Sequence, residues 1–323
     1  MDAGARRRRA VDPRLGLAVL THSVLTVNAG STSLKLSLVE GDESRPVDGF
    51  VEADAVGHRV VHGGAQYTEP VLIDDAVEEA IEELSRIAPL HNRPALRAIR
   101  EARAKLPDVP HVAVFDTAFH STIPGEASTY AIPQPWRDWG VRRYGFHGIA
   151  VQSVVSRIDA ARIVVCHLGG GCSVTAVRDG RSVDTTMGFS PLEGVPMATR
   201  SGSVDPGALV YLMRERGLSV EELDSALEHD SGLAAFGGLD DPLGFAVYTY
   251  RIAGAVAQMA MALRGIDVLA FSGGVGENRA DVRDTIAERL AFAGYFELRV
   301  VPAREDLVIA HEVRDLVWRE RPG

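Results

Sequence analysis

The sequence predicts an α/β protein of two domains, on three observations. Runs rich in apolar and β-branched residues alternate with stretches of helical periodicity. The chain has 323 residues, too many for one comfortable core. And a strand–turn–strand unit occurs twice, as "VLTVNAGSTSLKLSLVEGD" from Val24 and as "IVVCHLGGGCSVTAVRDG" from Ile163. Aligned on Asn28 and His167, the copies keep a constant offset of 139 (167 − 28) through Gly30 and Gly169 to Glu40-Gly41 and Asp179-Gly180.

Apolar runs bounded by glycine or polar turns predict strands at 24–28, 33–39, 58–61, 111–115, 162–167, 172–178 and 267–271. Helices are predicted at 75–87, 94–105, 206–216, 219–228, 244–264, 279–292 and 306–318. In the first of these, Val77, Ile81, Leu84 and Ala88 form an apolar face, and Glu78, Glu79, Glu82 and Glu83 a solvated one. The stretch "LGFAVYTYRIAGAVAQMAMALRG" has the length of a membrane span. It contains Arg251 and Gln258 and is flanked by polar sequence, so a buried core helix is the reading preferred.

Composition narrows the function. The chain is 46% hydrophobic and 24% charged, ordinary for a globular protein. A formal charge of −10 argues against nucleic-acid binding, so an anionic ligand would need local positive partners. The two cysteines, Cys166 and Cys172, fit a reducing cytosol. With His167 between them they form an incomplete zinc set. The N-terminus carries Arg6–Arg9 before a weak apolar run without a cleavage signal. Residues 1–22 are read as a disordered extension, and the protein as cytoplasmic.

A glycine turn between paired strands can bring backbone N–H groups close to an anion. Two such turns could hold a polyphosphate, although strand–turn–strand units are common in proteins that bind nothing. Further stretches add chemistry. "GHRVVHGG" carries Arg59, and "HVAVFDTAFH" ends a strand with Asp116, where α/β sheets place working groups. "RRYGFHG" holds His147, "DTTMGFSPLEGVPMATRSGSVDP" is a long loop with Arg200, and "FSGGVGENR" sets three glycines between strand and helix. Taken singly, each has an ordinary alternative: a surface arginine, a helix cap, a packed core histidine, a non-binding loop. "SGGVGEN" lacks the Gly-Lys-Ser/Thr of a P-loop, and "HLGGGCS" is followed by a strand, unlike the dinucleotide fingerprint.

In this order, "NAGSTSLKLSL", "HRVVHGG", "APLHN", "FDTAFH", "RRYGFHG", "CHLGGGCSV", "DTTMGFSPLEG", "TRSGSVDP", "SGGVGENR" and "EDLVIA" resemble the acetate kinase family of the acetate and sugar kinase/actin superfamily. The resemblance runs from residue 24 to residue 312. It implies duplicated ribonuclease H-like (actin-like ATPase) domains with a nucleotide cleft between them: 23–117 plus 306–323, and 118–305. It implies reversible transfer of the terminal phosphate of ATP to acetate, with propionate and butyrate as alternatives. By motif, Asn28 and Glu305 would hold Mg²⁺, for which Mn²⁺ can substitute, and Lys35 would meet the nucleotide phosphates. Arg59 would bind the carboxylate. Arg200 would serve both carboxylate and phosphoryl group, with Asp116 as the catalytic residue and His147 as the transition-state stabiliser. His167, Leu168, Gly169, Gly170 and Gly171 match one nucleotide segment; Gly274, Val275, Gly276, Glu277 and Asn278 match another. The family's partners would be a small carboxylate and ATP, with neither nucleic acid nor membrane, in a homodimer.

The chain departs from the family pattern in several places. The interval from Lys35 to Arg59 is short, and so is that between "GENR" and "EDLVIA". Gly170 stands where the family has asparagine. In "SGLAAFGGLDDPLG", Pro242 and Gly244 replace an Asp-x-Arg that touches the nucleotide, so that contact is not carried over. A nucleotide-binding homologue without turnover is the rival these contractions suggest.

Overall fold

The computed structural model describes residues 9–11, 18–20, 22–30, 34–85 and 89–318. The extension read over 1–22 lies mostly outside these residues, although Arg9–Val11 and Ala18–Leu20 pair as antiparallel strands. The chain divides into two compact units. One comprises the chain up to Val60, Glu69–Val114 and the residues from Asp306 onward; the other comprises Val61–Thr68 and Phe115–Glu305.

In the first unit, Val24–Ala29 pairs antiparallel with Leu34–Glu40, and Asn28 stands opposite Lys35. Ala55–Val60 lies parallel on the other side of Val24–Ala29. The sheet order is Glu43–Pro46, Leu34–Glu40, Val24–Ala29, Ala55–Val60, His111–Phe115, Val71–Leu72. Helix Pro89–Lys105 covers one face, where Ala95, Ala98 and Ala102 meet Leu25, Val27, Leu36 and Val56. These alanines recur every three or four residues, so one helical stripe lies close to the strands. The C-terminal helix Glu305–Trp318 crosses at Gly57, where an added Cβ would come within 2.5 Å of Ile309 Cγ2 and 2.8 Å of Val313 Cγ2. Glycine is required in that strand because the helix fills the space. Arg314 then fastens the helix, donating to the carbonyls of His22, Val39 and Gly41 at 3.0–3.1 Å.

The second unit repeats the plan. Arg162–Leu168 pairs antiparallel with Cys172–Arg178, with His167 opposite Ser173. Val268–Ser272 runs parallel beside Arg162–Leu168, placing Ser272 next to His167. Its sheet order is Arg181–Thr185, Cys172–Arg178, Arg162–Leu168, Val268–Ser272, Glu297–Val300. This matches the first sheet strand for strand, apart from that sheet's extra edge strand. One detail of the repeat needs correcting. Asn28 and Lys35 are seven positions apart and His167 and Ser173 six, so the second turn is a residue shorter and the offset is not constant through it.

Helix Pro242–Leu263 starts where Asp241 accepts from the Gly244 N–H at 2.7 Å, with Pro242 in its first turn. Tyr248, Ile252, Val256, Met259 and Leu263 lie on one side and pack against Leu168, Cys172, Val174 and Ala176. The apolar stretch is therefore a core helix, and among the described residues no helix is long and apolar enough to cross a membrane. On the opposite sheet face, Val151 and Val154 of Gly148–Val155 meet Ile163, Val165, Val177 and Ala270.

Candidate active site

The residues singled out from sequence divide between the units. In the first, Asn28 and Lys35 are directly opposed at the turn end of the hairpin, and Lys35 is exposed. Arg59, on the neighbouring parallel strand, donates from Nη1 to Asn28 Oδ1 at 3.1 Å. A carboxamide, an ammonium and a guanidinium thus gather at one end of this sheet, because the parallel register carries Arg59 to the level of the turn.

The larger group lies in the second unit. Asp116 follows the strand His111–Phe115 and is fully buried. Gly148 lets the next helix approach it: a Cβ there would be 2.0 Å from the Asp116 carbonyl oxygen. Just before that helix, His147 takes a left-handed conformation at φ 60°. Its Nδ1 lies 3.1 Å from Ser173 Oγ, and its ring meets that of His167 edge-on at 4.8 Å. His167 is in turn tied by Nδ1 to Ser272 Oγ at 2.9 Å.

Gly171 brings these pieces together. A Cβ at Gly171 would sit 3.0 Å from His147 Nε2 and 3.5 Å from Arg200 Nη1, so imidazole and guanidinium converge on the glycine turn. Arg200 itself is held from behind by Glu228, whose Oε2 is 2.8 Å from Arg200 Nε. The loop around it is fixed through backbone: Ala198 N–H donates to Gly170 O, and Ser201 N–H to Leu227 O.

The second glycine turn adjoins the first, since a Cβ on Gly169 would be 3.7 Å from Gly274 N. Gly273, at φ +77°, faces the Leu168 carbonyl at 2.6 Å from an ideal Cβ, which leaves no room for a side chain. Helix Gly273–Asn278 follows. Its polar residues brace the turn. Glu277 Oε1 accepts from Gly273 N–H and Asn278 Nδ2 donates to Gly274 O, both at 2.9 Å. Val275 packs against the core and Gly276 is buried. The Leu168 side chain is also in the core, so only its backbone belongs to the turn. Glu305 opens the C-terminal helix.

The cysteine–histidine set does not form a metal centre. Cys166 and Cys172 are buried, burial pushes both thiols up, and Cys172 Sγ bonds Tyr248 OH at 3.3 Å. Among the described residues no group of three or more His, Cys, Asp or Glu is placed to hold a metal ion.

Several supporting residues carry no local sequence signal. Arg143 donates to the carbonyls of Thr185, Thr186 and Met187 and pairs with Glu193. His120 is fully buried, with Nε2 donating to Phe146 O and Nδ1 accepting from Ser182 Oγ, so it props the His147 segment in its neutral form. Burial lowers His120 and His62 to about 4. Between the unfolded value of 6.5 and about 4, the unfolded chain binds more protons than the folded one. Stability present above pH 6.5 is therefore lost as pH falls through that window, by up to about 1.4 kcal/mol per pH unit for each histidine. Urea unfolding at pH 7 and pH 5 should show a lower midpoint at pH 5, and His120→Gln should flatten the dependence. An unchanged slope in that variant would acquit His120.

An acetokinase family model matches residues 48–311. The chain is 46% identical to an acetate kinase of Synechococcus sp. over 267 residues, covering 75% of this chain and 66% of that protein. It is 42% identical to the acetate kinase of Protochlamydia amoebophila, covering 82% and 73%. The chain thus spans about two thirds to three quarters of those relatives' length. A crystal structure of Porphyromonas gingivalis acetate kinase superposes with a TM-score of 0.82 at 29% identity, covering 92% of this chain and all of that one. A Francisella tularensis propionate kinase gives 0.84 at 30% identity, covering 90% and 98%. These solved folds confirm the duplicated actin-like α/β class. With the family model matched across most of its length and the hairpin sheet built twice, the chain belongs to the acetokinase family.

Proposed function

We propose that this protein reversibly phosphorylates acetate with ATP and Mg²⁺, giving acetyl phosphate and ADP by direct in-line transfer. The observation that carries the reading is the convergence of His147 and Arg200 on Gly171, beside two abutting glycine turns. Phosphoryl transfer needs positioning and charge stabilisation more than covalent chemistry. Backbone of His167–Gly171 and Gly274–Asn278 would cradle the nucleotide, with Lys35 meeting its phosphates. Arg200 and His147 would stabilise the phosphoryl group in flight, and Arg59 would hold the carboxylate. The acceptor has a pKa near 4.3 like Glu, so it is ionised at pH 7 and needs no base. Asp116 would therefore orient the acceptor rather than take a proton.

Asn28 and Glu305 each carry an oxygen donor of the kind Mg²⁺ takes, although the Asn28 oxygen here accepts from Arg59, and the ion would neutralise phosphate charge. A homodimer in the cytoplasm, as the family resemblance implies, completes the proposal.

Purified protein with ATP, Mg²⁺, acetate and hydroxylamine should accumulate hydroxamate. Absence of turnover with acetate, propionate and butyrate, in both directions, would overturn the reading. The propionate alternative has the Francisella structure in its favour, and a methylene changes discrimination by only about 1–3 kcal/mol, so all three acids belong in the assay. The non-catalytic reading rests on Asp241, which caps a helix where the family pattern has the Asp-x-Arg segment. It predicts ADP binding without transfer.

A further inference from the structure

We infer that Glu228 is a positioning residue for the reaction: its carboxylate fixes the guanidinium of Arg200 so that Nη1 faces Gly171 on the side of His147. This inference rests on the kinase reading above. The Glu228–Arg200 pair is 2.8 Å long, with side chains only 12% and 16% exposed. Glu228 Oε2 meets Nε, the inner nitrogen of the guanidinium. Nη1 lies 3.8 Å from Met197 Sδ and 3.5 Å from a Cβ built on Gly171, on the side where His147 approaches. A carboxylate on the fork itself would compete with an anionic ligand for both terminal amino groups. A carboxylate at Nε leaves the fork's direction set and its charge in place.

The backbone around the pair is fixed independently of the Glu228 side chain. Thr199 Oγ1 donates to the Glu228 carbonyl at 2.7 Å, Ser201 N–H to Leu227 O, and Ser231 N–H to Thr199 O. Gly232, at φ +60°, lies close enough that a Cβ would be 2.3 Å from Met197 O and 2.5 Å from Arg200 O. Helix Val220–His229, which bears Glu228, is anchored at its start by the reciprocal Ser219–Glu222 capping box. Replacing the Glu228 side chain therefore alters the aim of Arg200 and leaves its loop clamped.

The test is a double-mutant cycle on the carboxylate kinase reaction with Glu228→Ala, Arg200→Ala and both together, plus Glu228→Gln. Glu228→Ala should lower kcat about tenfold or more with ADP affinity little changed. Glu228→Gln keeps an oxygen acceptor and should recover most of that loss. In the Arg200→Ala background, removing Glu228 should cost nothing further, because Glu228 acts through the guanidinium. A purely structural role would make the losses additive, and additive losses would overturn the inference. So would a Glu228→Ala enzyme of unchanged or raised kcat, which would mark the carboxylate as neutral or as a competitor for Arg200. A wild-type protein without turnover would be a different failure: it would sink the kinase reading and, with it, any role for Glu228 in that reaction.

Discussion

Arg200→Ala is expected to lower turnover about a hundredfold or more, roughly 3 kcal/mol of transition-state stabilisation, while ADP affinity stays nearly intact. The size follows from chemistry. A guanidinium stays charged at any working pH and pairs two oxygens at once, and no nearby group replaces it in both respects. The selectivity follows from placement. Arg200 reaches the glycine turn through its side chain, whereas the segments 167–171 and 274–278 proposed to hold the nucleotide would do so by backbone that the substitution leaves alone. Turnover and ADP titration on one preparation check both parts. If only nucleotide affinity changed, the assignment of Arg200 to the transferring phosphoryl group would be wrong.

Gly148→Ala is expected to have the largest effect on the fold around the site. The added methyl would lie 2.0 Å from the Asp116 carbonyl oxygen and 2.8 Å from Phe119 Cβ. The first obstacle is backbone, so a rotamer change gives no relief. Overpacking of a tight core typically costs about 1–3 kcal/mol, and a backbone clash belongs at or above the top of that range. His147 immediately precedes this position and the clashing oxygen is the Asp116 backbone carbonyl, so activity should fall together with stability. Urea unfolding read beside turnover checks this; a variant of wild-type midpoint would show that the helix can slide away from the strand.

Much of the architecture was legible because its strongest elements are locally consistent. The hairpin strands at 24–28, 33–39, 162–167 and 172–178 were placed within a residue or two, since their apolar runs end in polar turns. Helix Pro242–Leu263 was legible by length, with Asp241-Pro242 marking its start. The weak elements are those whose partners are remote. Glu43–Pro46, Val71–Leu72, Arg181–Thr185 and Glu297–Val300 lie at or near sheet edges, are short, and carry charges or little apolar pattern. Gly148–Val155 is buried nearly all round, so "GIAVQSVV" has no polar face to betray a helix.

The candidate residues were legible in a different way. Asp116, His147 and Arg200 stand out through motif order and Ser173 falls within the glycine motif "CHLGGGCSV", while Glu228 does not stand out. "EELDSALEHD" reads as an ordinary acidic helix face, and only tertiary packing turns one of its carboxylates toward Arg200. Ser173 belongs to the glycine motif in sequence, and the register sets it opposite His167 and within reach of His147.

The fastening of Glu305–Trp318 over Gly57 bears on how the molecule is made. The second unit, apart from Val61–Thr68, is one continuous stretch that ends at Glu305. The first sheet, though earlier in the chain, has its groove at Gly57 filled by Ile309 and Val313 and three of its carbonyls bonded by Arg314. Vectorial synthesis usually lets the leading domain fold first. In this chain the leading sheet draws part of its packing from Glu305–Trp318, so the N-terminal unit is completed only once that helix is available.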